Sequence, residues 1–497
     1  MKNNILFSTP DRFSYWYSIS NKEYILLPPL ARKIIMLLES GIKTEDIWKQ
    51  KELERETKAD ILYYLHKIEY LKNQHFWSEE PETETTFGQL TAEMIQQQLE
   101  NLKVLTFEVT DKCNLNCKYC TYGQVYQGHD ERQGKNLDFS IARNMLDYLF
   151  LLWKNFSAHR PQRTISIGFY GGEPLMNFEL IQQIIRYISS QTLENIDFTY
   201  NMTTNAVLLD KYSDFLVRHD FKLLISLDGA DEDNCHRVSH TGKSSFAQVY
   251  QNIKNLQRRY PDYFKKNVSF NSVFHSGSKI ERIVDFFKTE FDKPTSLSEL
   301  NNANIADVEK YKNLHQGVYG SIALSDRGAD IDRKLMYGSP RINLLTYFLH
   351  HTTSETYSNY RTMLYGTKRY KLLPSGSCIP FERKMYITVN GKILVCERIG
   401  HHYTVGRVDK QGVTLSFQEI ADRYNQYYRR LSRLCEKCYM QTTCSQCMFY
   451  LNLEENPLIC YHYSNEQKFA EYLSFNISYL ERNPWAYEKI MKEIIIF

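Results

Sequence analysis

Between residues 101 and 310, short apolar or β-branched runs alternate with amphipathic segments. The runs are predicted strands and cover residues 104–109, 164–169, 198–202, 222–227 and 268–274. Helical patterns lie between several of them, for example over residues 180–188. Strands that alternate with helices are typical of a parallel sheet. The pattern therefore predicts a barrel-like α/β domain, whose chemistry would lie where the strands end.

The first 76 residues have a different pattern, with predicted strands before predicted helices. Aromatic and β-branched runs at 13–19 and 23–27 indicate a hairpin, and Pro29 then opens an apolar-faced helix. Thr57 begins a capping box for a second helix. We expect a small independent unit that resembles a winged helix-turn-helix. Residues 77–100 are predicted to be an acidic linker and a leading helix.

The C-terminal half has less regular patterning. Residues 311–377 form a bridging region that contains Tyr- and Leu-rich pieces and gives no clear element. A cysteine-rich region follows over residues 378–465, and its Asn390-Gly391 dipeptide predicts a hairpin with a tight turn. A capping box that begins at Ser464 predicts a C-terminal helix over residues 466–497.

Composition narrows the class of protein. The 497 residues are 42% hydrophobic and 24% charged, with a formal net charge of +3. This balance is typical of a soluble globular protein and offers no bulk attraction for nucleic acid or for an anionic membrane. No apolar run reaches the ~20 residues that span a bilayer, and the polar N-terminus does not resemble a signal peptide. We therefore expect a cytoplasmic protein.

The cysteines carry the chemistry. There are 11, an odd number, and ten of them fall within residues 113–120 and 378–460. Clustered cysteines in a cytoplasmic protein indicate metal ligands rather than disulfides. Cys235 stands alone and is expected to be a buried small apolar residue. His401 and His402 have no evident partner ligand and are expected in a solvated loop.

Three cysteines form a C-x3-C-x2-C motif directly after the first predicted strand, at Cys113, Cys117 and Cys120. A [4Fe–4S] cluster normally takes four thiolates, so three leave one iron open. The motif resembles that of the radical S-adenosylmethionine (SAM) superfamily, in which the open iron chelates SAM. The alternatives are a zinc site or three thiols of the core. The resemblance implies a partial (β/α)6 TIM-like barrel that produces a 5′-deoxyadenosyl radical.

Further motifs follow the later strands in the order that the superfamily shows. Tyr170 precedes a Gly-Gly-Glu-Pro sequence that resembles the superfamily element whose backbone holds the SAM amino group, and glycine permits close approach of a backbone. The resemblance also implies that Ser226 and Arg237 contact SAM, that Asn205 lies in the site, and that the Tyr119 backbone meets the adenine. The implied cofactor-binding residues are Tyr119, Gly171, Gly172, Glu173, Asn205, Ser226 and Arg237.

The C-terminal cysteines resemble the SPASM domain, which carries two auxiliary [4Fe–4S] clusters. The resemblance assigns the first auxiliary cluster to Cys378, Cys396 and Cys447, with its fourth ligand open. It assigns the second to Cys435, Cys438, Cys444 and Cys460. Cys444 and Cys447 are separated by two residues where the SPASM pattern has three. A pair of zinc sites is the alternative, but the five residues between the two C-x2-C pairs are fewer than the roughly 15–20 of a zinc ribbon.

Glu397 directly follows Cys396, at a place where anaerobic sulfatase-maturating relatives have an acidic base. A surface salt bridge is the alternative for this residue. A winged-helix unit at the N-terminus resembles the PqqD-like element of enzymes that mature ribosomally made peptides. There a leader peptide adds a strand to an exposed sheet edge, and we expect the strand at residues 13–17 to supply that edge.

The resemblance as a whole implies a radical SAM oxidoreductase that matures a precursor peptide, with three [4Fe–4S] clusters, SAM and an electron donor such as flavodoxin or ferredoxin. The modification of the peptide is expected to be a cross-link. The alternatives are a formylglycine-forming protein modifier, a catalytically silent iron–sulfur or zinc peptide-binding protein, and a zinc-dependent scaffold.

Overall fold

The computed structural model describes residues 3–74, 76, 87–157, 162–325, 327–353, 373–453 and 456–493. The acidic part of the predicted linker, residues 78–84, lies outside the described residues. So do residues 354–372 of the bridging region and the last four residues of the chain. Within the described residues, no helix is both long and apolar enough to cross a membrane.

The N-terminal region folds as an antiparallel sheet with two helices. Its strands are β1 (Asn4–Ser8), β2 (Ser14–Ser18) and β3 (Glu23–Leu27), in that order across the sheet. The helices are α1 (Pro29–Glu39) and α2 (Lys58–Asn73). The Thr57 hydroxyl accepts a hydrogen bond of 3.1 Å from the Asp60 backbone, as the capping box predicts. The sequence does not predict β1, and β1 makes β2 the central strand, so the expectation that residues 13–17 form an edge is wrong.

Helix α3 (Ala92–Glu100) leads into six parallel strands, which form the predicted barrel-like sheet. The strands are β4 (Val104–Thr110), β5 (Arg163–Gly171), β6 (Ile196–Thr204), β7 (Lys222–Ser226), β8 (Val268–Phe274) and β9 (Thr295–Glu299). Each pairs in parallel with the next along the chain. Five of them coincide with the predicted runs. The sixth, β9, has Ser or Thr at three of its five positions and was not predicted.

Amphipathic helices connect these strands and bury their apolar faces on the sheet. They are α4 (Phe139–Ser157), α5 (Phe178–Ser189), α6 (Leu209–Arg218), α7 (Phe246–Arg259), α8 (Pro261–Asn267) and α9 (Ile280–Phe291). Helix α5 includes the predicted residues 180–188, and its buried face has Ile and Leu at helical spacing. The largest apolar core lies between this sheet and these helices.

The bridging region and the C-terminal region add further helices and four short strands. The helices are α10 (Val308–Leu314), α11 (Val318–Leu324), α12 (Gly328–Leu335), α13 (Pro340–Thr352), α14 (Phe417–Cys435), α15 (Glu466–Arg482) and α16 (Pro484–Lys492). The strands are β10 (Met385–Ile387), β11 (Lys392–Leu394), β12 (Gly406–Asp409) and β13 (Gly412–Leu415). Single 3₁₀ turns occur at Thr44–Lys49, Lys51–Leu53, Pro174–Asn177, Met336–Gly338, His401–Tyr403, Gln441–Thr443 and Met448–Tyr450.

The cysteine-rich region is joined to the barrel through the predicted hairpin. Strand β10 pairs in parallel with β4 and antiparallel with β11, so the C-terminal strands extend the central sheet to ten. Gly391 in the turn has φ +74°, and a Cβ there would lie 2.0 Å from the Val408 carbonyl oxygen. Because β10 runs parallel to β4, the Asn390-Gly391 turn after β10 lies at the same end of the sheet as the loop after β4.

The N-terminal sheet shares a core with the C-terminal helices, which differs from the independent unit predicted. One face of the sheet packs on α13 and α15 through Ile5, Phe7, Tyr17, Phe348, Phe469 and Leu473. The other face packs on α1 and α2, with Trp16 fully buried between them. Deleting the sheet would therefore expose a buried apolar surface on the rest of the protein.

Candidate active site

The loop after β4 gathers the three cysteines of the C-x3-C-x2-C motif. Its backbone is held from outside, because Asn116 N donates to the Val238 carbonyl at 2.7 Å and Lys118 N to the His236 carbonyl at 3.1 Å. Burial, with smaller contributions from the neighbouring Cys120 and Cys113, raises the pKa of Cys117 to about 12 against the opposing effect of Arg237. The three thiols therefore lie within electrostatic reach of one another, in a partly buried site.

Two side chains donate to these sulfurs, and the sequence analysis missed one of them. Arg132 Nη2 donates to Cys120 Sγ at 3.4 Å. Asn205 Nδ2 lies 3.7 Å from Cys113 Sγ and donates to the Asn114 side chain at 2.7 Å. A cation and an amide donor both favour the thiolate form that binds iron. Arg132 lies between two predicted elements in a segment without a motif, so no sequence signal marked it.

The two glycines after β5 are needed for contact with the cysteine loop itself. A Cβ on Gly171 would lie 2.1 Å from the Thr110 carbonyl oxygen, and one on Gly172 would lie 2.1 Å from that of Lys112. The Gly172 amide donates to the Thr110 carbonyl at 2.9 Å. From the sequence, these glycines are expected because a ligand approaches the backbone closely. In the structure, the protein's own backbone already lies too close to both glycines for a side chain to fit.

Glu173 ties the end of β5 to the end of β6. Its buried carboxylate accepts hydrogen bonds from the Thr204 hydroxyl and the Asn205 amide, each at 2.8 Å, and from the Leu175 amide at 3.2 Å. Burial raises the pKa of Glu173, whereas these hydrogen bonds oppose the rise. The carboxylate thereby fixes the backbone from which Asn205 reaches Cys113.

A buried ion pair lies on the other side of the loop. Arg237 Nη2 is 3.0 Å from Asp228 Oδ1, and the Tyr119 hydroxyl donates to the same carboxylate. The Arg237 guanidinium also lies 5.5 Å from the centre of the Tyr119 ring. Among the described residues, Arg237 Nε has no hydrogen-bond partner although it is buried. Ser226 ends β7, two residues before Asp228. Ser226 and Arg237, which the resemblance implies to contact SAM, are thus both close to Asp228, one along the chain and one through the ion pair.

The C-terminal cysteines lie near one another in two parts of the cysteine-rich region. Cys435, Cys438, Cys444 and Cys460 lie within electrostatic reach of one another, as their mutual effects on pKa show. Cys378 likewise acts on Cys447, and both act on the buried Tyr424. Cys396 and Cys447 both raise the pKa of Tyr450, so this tyrosine connects Cys396 with the second pair.

The spacing of these thiols bears on which metal they fit. All eleven cysteines are described, and no three of their sulfurs lie within 4.8 Å of one another. A tetrahedral zinc ion with Zn–S bonds of about 2.3 Å would hold its sulfurs about 3.8 Å apart. A four-iron cluster binds each thiolate through a different iron, which separates the sulfurs further. Among the described residues, no three of these sulfurs therefore stand at the spacing that one zinc ion requires.

Glu397 forms a salt bridge, as the alternative for this residue predicts, in a half-buried position. Lys384 Nζ contacts both of its carboxylate oxygens, at 2.9 and 3.0 Å, and this cation lowers the pKa of Glu397 against the opposing effect of burial. The half-buried Tyr170 lies within electrostatic reach of both regions, because Glu397 and Cys120 both raise its pKa after the larger effect of burial. Glu397 is thus an ion-paired carboxylate that has Tyr170 as a neighbour in common with the cysteine loop.

Two expectations from the sequence are wrong. His401 is not in a solvated loop, because its side chain is 2% exposed and its Nδ1 accepts from the Asp130 amide at 3.1 Å. Cys235 is not buried but exposed. Both errors have the same cause. Each residue follows a strand, and no local sequence pattern shows where that strand lies relative to segments that are distant in sequence.

Comparisons with known proteins agree with this geometry. Residues 107–289 match the family model of the Radical SAM superfamily. The chain is 35% identical to an uncharacterized protein of Methanocaldococcus jannaschii over 148 residues, which are 30% of this chain and 46% of that protein. It is 23% identical to the radical SAM cyclopropyl synthase TigE of Paramaledivibacter caminithermalis over 262 residues, 51% of this chain and 50% of that enzyme.

The fold matches a solved structure, that of native anSMEcpe with bound AdoMet and Kp18Cys peptide. The TM-score is 0.51 at 18% identity, over 78% of this chain and 99% of that one. The sequence matches span about half the length of the curated relatives, between 46% and 50%. The match to the Radical SAM superfamily thus covers residues 107–289, which contain all or part of five strands of the parallel sheet, and the likeness to the solved structure is one of fold.

Proposed function

We propose that this protein is a radical SAM peptide maturase that installs a modification, expected to be a cross-link, on a precursor peptide. The observation that carries the proposal is the contact between the loop after β4, which bears the C-x3-C-x2-C motif, and the segment after β11, which bears Cys396 and Glu397. His401 N in that segment donates to the Gly128 carbonyl at 2.7 Å, and Tyr170 lies within electrostatic reach of both Glu397 and Cys120. A cluster on Cys113, Cys117 and Cys120 with bound SAM would supply a 5′-deoxyadenosyl radical that removes a substrate hydrogen atom.

The residues around the loop have separate tasks in this proposal. Arg132 and Asn205 hold the sulfurs of Cys120 and Cys113 by donating to them. Arg237 offers its free Nε to SAM, while Asp228 fixes the guanidinium.

We further propose two auxiliary clusters on the C-terminal cysteines. Cys435, Cys438, Cys444 and Cys460 supply four thiolates for one. Cys378, Cys396 and Cys447 supply three for the other, and Glu397 and Glu382 are the nearby carboxylates that could complete it. Both already have partners, since Glu397 is bound by Lys384 and Glu382 accepts from the Ile379 amide at 3.2 Å. This favours a first auxiliary cluster whose fourth ligand position is open to a substrate thiolate.

The N-terminal sheet is the proposed docking element for the leader of the precursor. Its outer strand β3 pairs with β2 alone among the described strands, and Leu26 on β3 is 55% exposed. An extended peptide could add to this edge through backbone hydrogen bonds. The docking strand is therefore β3 and not the segment at residues 13–17.

A formylglycine-forming protein modifier is the second candidate, and Glu397 is the observation that favours it. The residue stands directly after Cys396, it is held as a carboxylate by Lys384, and it lies near Tyr170. An ionised carboxylate at the barrel mouth could accept the proton that formylglycine formation releases.

Coexpression with short reading frames beside the gene tests the proposed function. We expect mass spectrometry to show one encoded peptide with an altered core mass, and the same peptide unaltered with the Cys117→Ala variant. Turnover of a sulfatase-type peptide, with every encoded precursor left unchanged, would favour the formylglycine alternative and contradict peptide maturation.

A further inference from the structure

Three metal-ligating side chains converge at the ends of β7 and β8, apart from the ten cysteines discussed above. Cys235 Sγ, one ring nitrogen of His236 and one of His275 all lie within 4.8 Å of one another. Cys235 and His236 lie in the turn that follows β7, and His275 directly follows β8. The two strands are parallel neighbours, so their carboxyl ends bring these residues together.

Each of the two imidazoles has a ring nitrogen whose hydrogen-bonding capacity the described protein groups do not satisfy. Within the described residues, the buried His236 Nδ1 has no hydrogen-bond partner. His275 Nδ1 lies 2.9 Å from the Ser276 carbonyl oxygen, and its Nε2 lies 2.7 Å from that of Asp233. A neutral imidazole has one N–H, so one of these contacts sets a lone pair against an oxygen. A bound cation or a second proton relieves that repulsion.

We propose that Cys235, His236 and His275 bind one zinc ion, separate from the iron–sulfur sites. One thiolate and two imidazoles are a donor set that suits zinc, and Zn–N and Zn–S bonds of about 2.0 and 2.3 Å place the donor atoms about 3.5 Å apart. Since the three atoms lie within 4.8 Å of one another, each separation would need to shorten by about 1.3 Å at most. Cys235 is exposed, which leaves the fourth position of the ion to solvent.

The neighbouring carboxylates are already bound by other side chains and therefore do not compete for the ion. Asp233 binds Arg282 through both oxygens, at 2.6 and 2.7 Å. Asp228 binds Arg237 and accepts from Tyr119. The carbonyl oxygens beside His275 can orient its ring by accepting the remaining N–H, as commonly occurs around zinc-binding histidines.

The position of the site indicates a structural role. The His275 ring stacks on Tyr119 with centroids 6.1 Å apart, and the His236 ring meets the edge of Tyr119 at 6.2 Å. The His236 carbonyl also accepts from Lys118. An ion that holds both histidines would therefore brace the cysteine loop from beneath Tyr119.

Zinc binding by the reconstituted holoprotein tests this proposal, because iron then occupies the other cysteines. Anaerobic titration with zinc, followed by desalting and metal analysis, should give one zinc per chain with iron unchanged. Cys235→Ser and His236→Gln should each weaken zinc binding at least tenfold and keep their iron. His66→Gln, at an exposed histidine of α2, should bind as the unaltered protein does. Both test variants change residues that are not fully buried, so we expect them to fold.

Three results would overturn the site. The first is no zinc retained by the unaltered holoprotein, and the second is equal zinc retention by Cys235→Ser and His236→Gln. The third is zinc uptake matched by loss of iron, which would mean that zinc enters the iron–sulfur cysteines. Cobalt supplies a second readout, since a thiolate-to-cobalt absorption band should appear with the unaltered protein and disappear with Cys235→Ser.

Discussion

At the scale of single residues, close backbone approach and buried polar partners build the site. Gly171 and Gly172 lie so near residues 110–112 that any side chain would collide with a carbonyl oxygen. Glu173 and Asp228 each satisfy several donors from different strands. An unsatisfied buried donor costs about 1–3 kcal/mol, so these carboxylates hold the mouth in one arrangement.

Gly172→Ala tests the close approach. Its Cβ would meet the Lys112 carbonyl oxygen at 2.1 Å, and fixed backbone cannot yield as a flexible side chain does. We expect SAM cleavage to fall at least a hundredfold while the iron of the C-terminal cysteines is retained. Gly320→Ala is the control, because nothing lies within 4 Å of its Cβ position. Similar SAM cleavage by both variants would show that the contact does not matter.

Arg132→Ala tests the cation beside Cys120. Removing a positive charge near a cluster favours its oxidised state, so the midpoint potential should fall, by about 59 mV if the charge contributes about 1.4 kcal/mol. A redox titration followed by electron paramagnetic resonance measures this shift. Arg143→Ala, at a side chain 57% exposed on α4, should leave the potential unchanged. An unaltered potential in Arg132→Ala would contradict the assigned contact.

At the scale of elements, local patterns predicted what depends on local sequence. Five strands of the barrel, the Asn390-Gly391 hairpin and the Thr57 cap follow from periodicity and turn chemistry. Strand β9 was missed because its Ser and Thr residues resemble a loop, and β1 was not predicted either. Missing β1 caused the wrong edge assignment, since pairing order is a long-range property that no segment encodes alone.

Leu26→Asp tests the β3 edge as a docking strand. A charge on an edge strand discourages addition of another strand. Precursor affinity should fall at least tenfold, about 1.4 kcal/mol, while SAM cleavage without peptide is unchanged. Leu344→Asp on α13 is a matched control, because Leu344 is 53% exposed and Leu26 is 55% exposed. This variant is preferable to deletion of residues 1–76, which would strip a shared core. Equal affinity of both variants for the precursor would exclude β3.

At the scale of the whole molecule, two junctions couple regions that are distant in sequence. The β4–β10 pairing joins the cysteine-rich region to the barrel sheet, and the shared apolar core attaches the N-terminal sheet to α13 and α15. A peptide held at β3 would therefore be attached to the same body that carries the cysteine loop. The sequence motifs predicted the chemistry, whereas these two junctions could be recognised only from the folded structure.

The most direct measurement of the central claim is the metal content of anaerobically reconstituted protein alongside its SAM cleavage. Three four-iron clusters predict about 12 iron and 12 sulfide per chain. The Cys113→Ala, Cys117→Ala, Cys120→Ala triple variant should lose about four irons and all SAM cleavage while about eight irons remain. Stoichiometric zinc with little iron at these cysteines, or SAM cleavage that survives in the triple variant, would contradict the account.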